Sequence, residues 1–392
     1  MGHHNMNHVQ KLGQPLARLL GERSGQVRAK FRTPLQTIEV VQRTWAHESD
    51  ILKAVAPYVS RTPRCLADFG ELSVYSYVPG RVLSDAVGKG TIGMDRLAQL
   101  ADFFAELADV PPDVLPPRPP NWPLSGDSLG FLHHLARFVA SRVHWANLPR
   151  FGELFRAVGI PDDAMERFLR AVPSLTSRPF ILLHTDVHRG NLVLTPGLDG
   201  EQIVVIDWEL GMYGDPLHDL AIHVVRMDYE ETERDHMVQR WAEAMHRTGH
   251  SAVTQGLADD LPVYLGFEYA QSVFPDVMRA ALTLSDHPTD QEFAGAATRI
   301  CRAVRRAREP LGLPYLQVDE EEAVVALRRW HASEQRAAMA AGSRKGSRGW
   351  DEPREQRNDK PQSPHPRGGA VATAARWLIG ATWLIGTAWL LG

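Results

Sequence analysis

The sequence predicts an α+β chain: a small antiparallel sheet, then a mainly helical body with one β-hairpin set into it. Three observations carry this. Strand-like runs crowd the first 80 residues, VRAKFRT, TIEVVQRT and ELSVYSYVPG, around turns rich in Gly and Pro. Apolar residues then fall at helical spacing, as in Leu97, Leu100, Phe103, Phe104 and Leu107. Between helical stretches, residues 180–207 read FILLHTDVHRGNLVLTPGLDGEQIVVID. Here an apolar run, a polar loop and two strands around a Gly, Pro and Asp turn make a hairpin signature.

In chain order, residues 1–10 form a polar start with three His and read as a disordered terminus. The pattern WAHESDILKAVAPYV predicts a helix after the second and third strands. Residues 111–123 are proline-rich, and proline fixes φ and cannot continue a helix, so a stiff covering loop is expected. Further helices are predicted over 96–107, 129–143 and 162–172. Gly214-Asp215-Pro216 makes a turn and Asp219 opens the next helix, which ends near Met227. Beyond it, 233–246, 257–284 and 291–308 are helical between Gly or Pro breaks. Residues 341–369 lack apolar periodicity and read as a linker. The tail 370–392 repeats a six-residue unit with Trp377, Trp383 and Trp389 in step. That apolar run falls short of the roughly 20 residues a spanning helix needs, so membrane association is open and unproven.

The chemistry concentrates in 180–221. A hairpin brings Asn191, before its first strand, and Asp207, after its second, to one end. Both offer oxygen. Magnesium prefers oxygen ligands and takes only one or two protein carboxylates beside the phosphates of a nucleotide. Asp186, on the same loop, is left to accept a proton from an attacking hydroxyl. One Asp as base, with an Asn and a second Asp on the metal, is the template of phosphoryl transfer.

The loop HTDVHRGN has the D-x-x-x-x-N spacing of the kinase catalytic loop, and IDWE stands where protein kinases carry Asp-Phe-Gly. With the hairpin and G-D-P-x-x-D-L-A in order, the chain resembles the aminoglycoside phosphotransferase family over roughly residues 20–290. The resemblance implies a protein-kinase-like two-lobe fold. Residues 11–80 would be a nucleotide-binding N-lobe with an antiparallel sheet, and 81–340 a mainly helical C-lobe holding the catalytic loop and acceptor site. Gly21 to Gly25 would flap over the phosphates. A cation gripping the α- and β-phosphates, paired with Glu48, is either Arg43, where the family usually has Lys, or Lys30 one strand earlier. Backbone around Tyr77, from Ser76 to Val78, would face adenine. Asp219 would steady the catalytic loop, with His184 and His188 orienting it by hydrogen bonds. Among acidic residues from Asp228 to Asp276, Glu268 lies beside Tyr264, Phe267, Tyr269 and Phe274. Relatives receive a polycationic antibiotic in an acidic pocket of this region.

Composition limits the partners. A formal net charge of −4 gives no global attraction to nucleic acid, so nucleotide and a small hydroxyl acceptor are the expected partners. Only Cys65 and Cys301 are present and no signal-peptide pattern opens the chain, which fits a reducing cytoplasm. The expectation is a Mg2+-dependent phosphotransferase using ATP or GTP on an aminoglycoside- or antibiotic-like acceptor. A metabolic kinase of choline, homoserine or sugar type is the second reading. A catalytically silent nucleotide-binding scaffold is the reading from another class. The acceptor, ATP against GTP, and oligomeric state are not fixed by sequence.

Overall fold

The computed structural model describes residues 5–11, 13, 15, 20, 28–34, 41–70, 72–197, 200–313 and 319–346. Its first sheet holds β1 (Asn5–Lys11) and β2 (Arg28–Pro34), then, after helix α1 (Glu48–Val55), β3 (Cys65–Asp68) and β4 (Ser73–Ser76). The order is β1-β2-β4-β3, antiparallel throughout the given pairings, with Lys30 opposite Tyr75. The sheet corrects two expectations. Residues 5–10 are not disordered, because their backbone completes a seven-residue ladder with β2. The expected third strand over 37–44 is not formed in its described part: Val41 to Thr44 are irregular and run straight into α1. The remainder of that segment and the Gly21 to Gly25 turn lie outside the described residues.

The chain leaves β4 through Tyr77-Val78-Pro79-Gly80 and adds β5 (Arg81–Val82) and a short α2 (Leu83–Val87). The helical body follows: α3 (Met94–Ala108), α4 (Ser128–Phe138) running into a π-turn at Val139–His144, α5 (Leu148–Ala157) and α6 (Ala164–Ala171). The proline-rich loop between α3 and α4 lies over aromatic core. Trp45 Nε1 donates to the carbonyls of Pro116 and Pro117, and Trp122 Nε1 donates to that of Tyr213.

Four short strands then carry the site. β6 (Ile181–Leu183) pairs with β9 (Met212–Gly214), and between them β7 (Leu192–Gly197) and β8 (Gly200–Val205) form the hairpin. β-branched Ile203, Val204 and Val205 suit a pleated, half-buried strand. β5 pairs with β7, so the segment leaving the N-terminal sheet becomes an edge of the hairpin sheet. Gly80 allows it. At φ 152° its α-carbon lies so close to β7 that a Cβ would sit 2.2 Å from the Leu194 carbonyl oxygen.

The rest is helical: α7 (Pro216–Met227), α8 (Glu231–Arg247), α9 (Leu257–Leu282), α10 (Asp290–Ala307) and α11 (Glu320–Gly346). Asp215 caps α7 by accepting from Leu217 N at 3.0 Å, with Pro216 in the first turn, where its missing N–H costs nothing. α9 tolerates Pro262 and Pro275. Met1–Ala337 is one compact unit and Ala338–Gly392 a second. Of the second, the described backbone is helical to Gly346, which corrects the expectation that 341–369 is linker throughout. The Trp-repeat tail lies outside the described residues. No helix among the described residues is long and apolar enough to cross a membrane.

Candidate functional site

β6 ends at Leu183 and the backbone turns sharply. Thr185 sits at φ 58°, a left-handed conformation that costs a β-branched residue of order 1–3 kcal/mol and survives only when its surroundings hold it. They do. Asp219, fully buried on the first turn of α7, accepts from His184 N at 2.7 Å and Thr185 N at 2.8 Å, while Thr185 Oγ1 donates to the Leu210 carbonyl at 2.7 Å. Burial pushes the Asp219 carboxyl up to about 7, although the two backbone amides pull the other way.

Asp186 follows, its side chain 13% exposed. Asn191 Nδ2 donates to both Asp186 Oδ2, at 2.8 Å, and the Asp186 carbonyl, at 3.0 Å. With the amide nitrogen tied to two acceptors, the Asn191 oxygen is turned away from that carboxylate. His184 Nδ1 accepts from Asp186 N, and His188 Nδ1 from Gly190 N. His188 Nε2 lies 3.6 Å from Asp186 Oδ1. Burial alone would raise the Asp186 carboxyl, but His188 and the Arg226 guanidinium together hold it below the usual value.

The hairpin closes as predicted from its apolar runs. Leu192 pairs with Val205, and Ile206 N donates to the Asn191 carbonyl at 2.9 Å, so the backbone of Asn191 touches the residue before Asp207. Asp207 is itself left-handed, φ 72°. Behind it Trp208 is fully buried, its ring 4.7 Å from that of His184 and 5.9 Å from that of Phe103. Truncating such a side chain costs about 3–5 kcal/mol, which makes Trp208 the anchor of the turn carrying Asp207. No three His, Cys, Asp or Glu among the described residues gather as a metal cluster. One amide oxygen and one carboxylate are the sparser set that suits magnesium on a nucleotide.

On the N-terminal side Glu48 and Arg43 both make contacts with the 207–210 turn. Glu48 Oε1 accepts from Trp208 N at 2.8 Å. Arg43 donates to Glu209 at 2.8 Å, from an irregular segment and not from a strand. The reason is the early arrival of α1: the chain enters the helix five residues after Arg43, so both side chains meet the 207–210 turn. Lys30 lies on β2, an inner strand of the sheet. Tyr77 lies in the connector after β4; the preceding amide, Ser76 N, donates to the Arg64 carbonyl.

The acidic residues of the helical body are mostly engaged. Glu233 accepts from Ile92 N and Gly93 N, and Asp260 accepts from Thr176 N and pairs with buried Arg178, which also holds Asp215 at 2.7 Å. Glu268 is buried, and burial raises its carboxyl. It receives Gln271 Nε2 and lies 3.5 Å from Arg226 Nε, while Arg226 Nη1 donates to Asp186 Oδ1. Sequence reasoning missed Arg226; its one signal is a basic residue in the last turn of a helix that begins with G-D-P-x-x-D. A groove of about 790 Å³ beside Arg61, Asp102, Glu106 and Arg247 contains none of the predicted site residues. There Arg61 pairs with Glu106 and Arg247 with Asp102.

The chain is similar to several known proteins. Among solved structures, the chain is similar to an ethanolamine kinase of Plasmodium vivax, at 13% identity over 76% of this chain and 82% of that one, TM-score 0.48. It is also similar to a choline/ethanolamine kinase family protein from Mesorhizobium loti, at 17% identity over 82% and 92%, TM-score 0.44. A third likeness is to the GDP complex of aminoglycoside 2'-phosphotransferase-IIIa, at 15% identity over 78% and 92%, TM-score 0.42. No curated protein sequence matches. The profile of the phosphotransferase enzyme family, APH, matches residues 27–254, more than half of the sequence and all of the catalytic loop and hairpin, and the chain belongs to that family.

Proposed function

We propose that this protein is a magnesium-dependent phosphotransferase that moves the terminal phosphate of ATP or GTP onto a hydroxyl of a small molecule. One observation carries the reading: Asn191 is hydrogen-bonded through its amide nitrogen to Asp186 and through its backbone to the residue before Asp207. A base and two hard oxygen donors thus share one short stretch of backbone. Asp186 accepts the hydroxyl proton as the acceptor oxygen bonds to the terminal phosphorus. The bridging phosphate oxygen departs with the bonding electrons, on the nucleoside diphosphate. Asn191 and Asp207 would hold magnesium, which when bound supplies positive charge across the phosphates. Lys30 or Arg43 grips the phosphates, Glu48 fixes the turn behind Asp207, and the connector at Tyr77 receives the base of the nucleotide.

The test is release of nucleoside diphosphate with ATP and with GTP, in the presence of magnesium and hydroxyl acceptors. Asp207→Ala lowers it roughly 10³-fold, the scale of losing a main electrostatic element of a transfer site. Near-normal transfer by that variant sinks the assignment.

A further inference from the structure

A guanidinium, that of Arg226, stands directly against Asp186. Arg226 bridges Asp186 and Glu268, and Gln271 covers the other oxygen of Glu268. The Glu268 side chain is 3% exposed, whereas that of Arg226 is 30% exposed. Around them Arg279 lies 3.7 Å from Asp276, and Arg306 3.5 Å from Asp228. A narrow recess lined by Gln42, Phe138, Thr185, Arg226 and Gln271 adjoins the catalytic loop. Arg226 both lines that recess and contacts Asp186, so a group seated beside Asp186 lies next to a guanidinium. A cationic acceptor would have to dislodge Arg226 from two carboxylates and then lie beside it.

Resting on the phosphotransferase reading, we propose that the acceptor is a hydroxyl compound bearing its own anionic group, a carboxylate or a phosphate, and that Arg226 receives that group. The planar fork of Arg suits bidentate binding of either anion. Arg226 holds Asp186 through one nitrogen only. When the anion of the acceptor takes that nitrogen, Asp186 Oδ1 is released to the adjacent hydroxyl, so the correct acceptor uncovers its own base. Glu268 keeps the guanidinium in place through the exchange.

The experiment uses the full chain with a non-hydrolysable ATP analogue and magnesium, titrated calorimetrically with 3-hydroxybutyrate, 1,3-butanediol and choline as anionic, neutral and cationic probes. The anion is expected to bind at least about 10-fold more tightly than either other probe. Glycerol 3-phosphate in a fourth arm separates phosphate from carboxylate as the preferred anion. Arg226→Gln weakens the anion about 30-fold, the worth of one charge-assisted hydrogen bond, and Arg226→Lys restores part of it. The double variant Arg226→Gln with Glu268→Gln removes the orphaned buried carboxylate as well. An unchanged melting temperature there, with anion binding still lost, separates recognition from folding. If choline or butanediol binds as tightly as the better anion, or if Arg226→Gln leaves the anion unaffected, the proposal falls. Because the readout is binding, it decides acceptor charge independently of the turnover test on Asp207.

Discussion

The catalytic loop and the α1 side of the site are built in contrasting ways. From His184 to Asn191 most polar contacts close within a few residues or onto the first turn of α7. Asp186 meets Asn191, Gly190 N meets His188, and the amides of His184 and Thr185 meet Asp219. On the other side Glu48 and Arg43 each reach more than 150 positions along the chain to the 207–210 turn. The loop holds its shape through local bonds. The other side depends on where α1 is set down, since Glu48 at its start and Arg43 just before it both reach the turn behind Asp207.

Three measurements break or sharpen this contrast. The largest effect is on stability, because the loop region and the helical body around it bury several imidazoles. Burial lowers His144, His184 and His223 to about 4 and His218 to about 3. Unfolded His titrates near 6.5, so the unfolded chain binds more protons between those values. The stability these groups contribute is complete above about pH 6.5 and is lost as pH falls toward 4. Asp219 has the opposite sign. Raised to about 7 from roughly 3.9 unfolded, it holds a proton in the fold that the unfolded chain has released. A net uptake of about three protons on unfolding gives a slope of about 4 kcal/mol per pH unit near pH 5. Urea midpoints between pH 7 and 4.5 check it, and a flat profile would remove the imidazoles from the account.

Next is Asp219→Ala, which strips two backbone amides of their acceptor and frees strained Thr185. A fall in kcat of about 100-fold is expected, with KM for nucleotide little changed. Should kcat stay within about threefold, the loop is held by something other than these bonds. The smallest effect is on the N-terminal side of the site. Lys30→Ala is expected to raise the nucleotide KM about 10-fold. Arg43→Ala should cost no more than about 1 kcal/mol of stability, since its pair with Glu209 is partly exposed. The reverse ranking would make Arg43 the phosphate-gripping cation.

The same contrast explains what was legible in the sequence. The hairpin, the D-x-x-x-x-N loop and the helix opened by Asp219 were readable because each is written in periodicity or spacing over fewer than about 20 residues. The helices over 94–108, 216–227, 231–247, 257–282 and 290–307 fall close to the expected spans for the same reason. Strand β1 was missed because its ladder to β2 forms across an intervening segment, and a short polar run carries no alternation to announce it. Arg226 was missed because its partners, Asp186 and Glu268, come from two other elements 40 and 42 positions away. The acidic residues misled in the opposite direction: Glu233 and Asp260 look like open charge, but in the fold they satisfy backbone amides and, for Asp260, a buried guanidinium.

Gly80 has a wider consequence. Because its backbone lies against Leu194 and the next two residues extend the hairpin sheet, the connector from β4 and the strand that follows Asn191 are joined by backbone pairing. A shift of the connector would pull on the same ladder that sets the spacing of Asn191 and Asp207. A bulky residue at position 80 would therefore be felt in the spacing of Asn191 and Asp207 before it was felt in the sheet that Gly80 leaves.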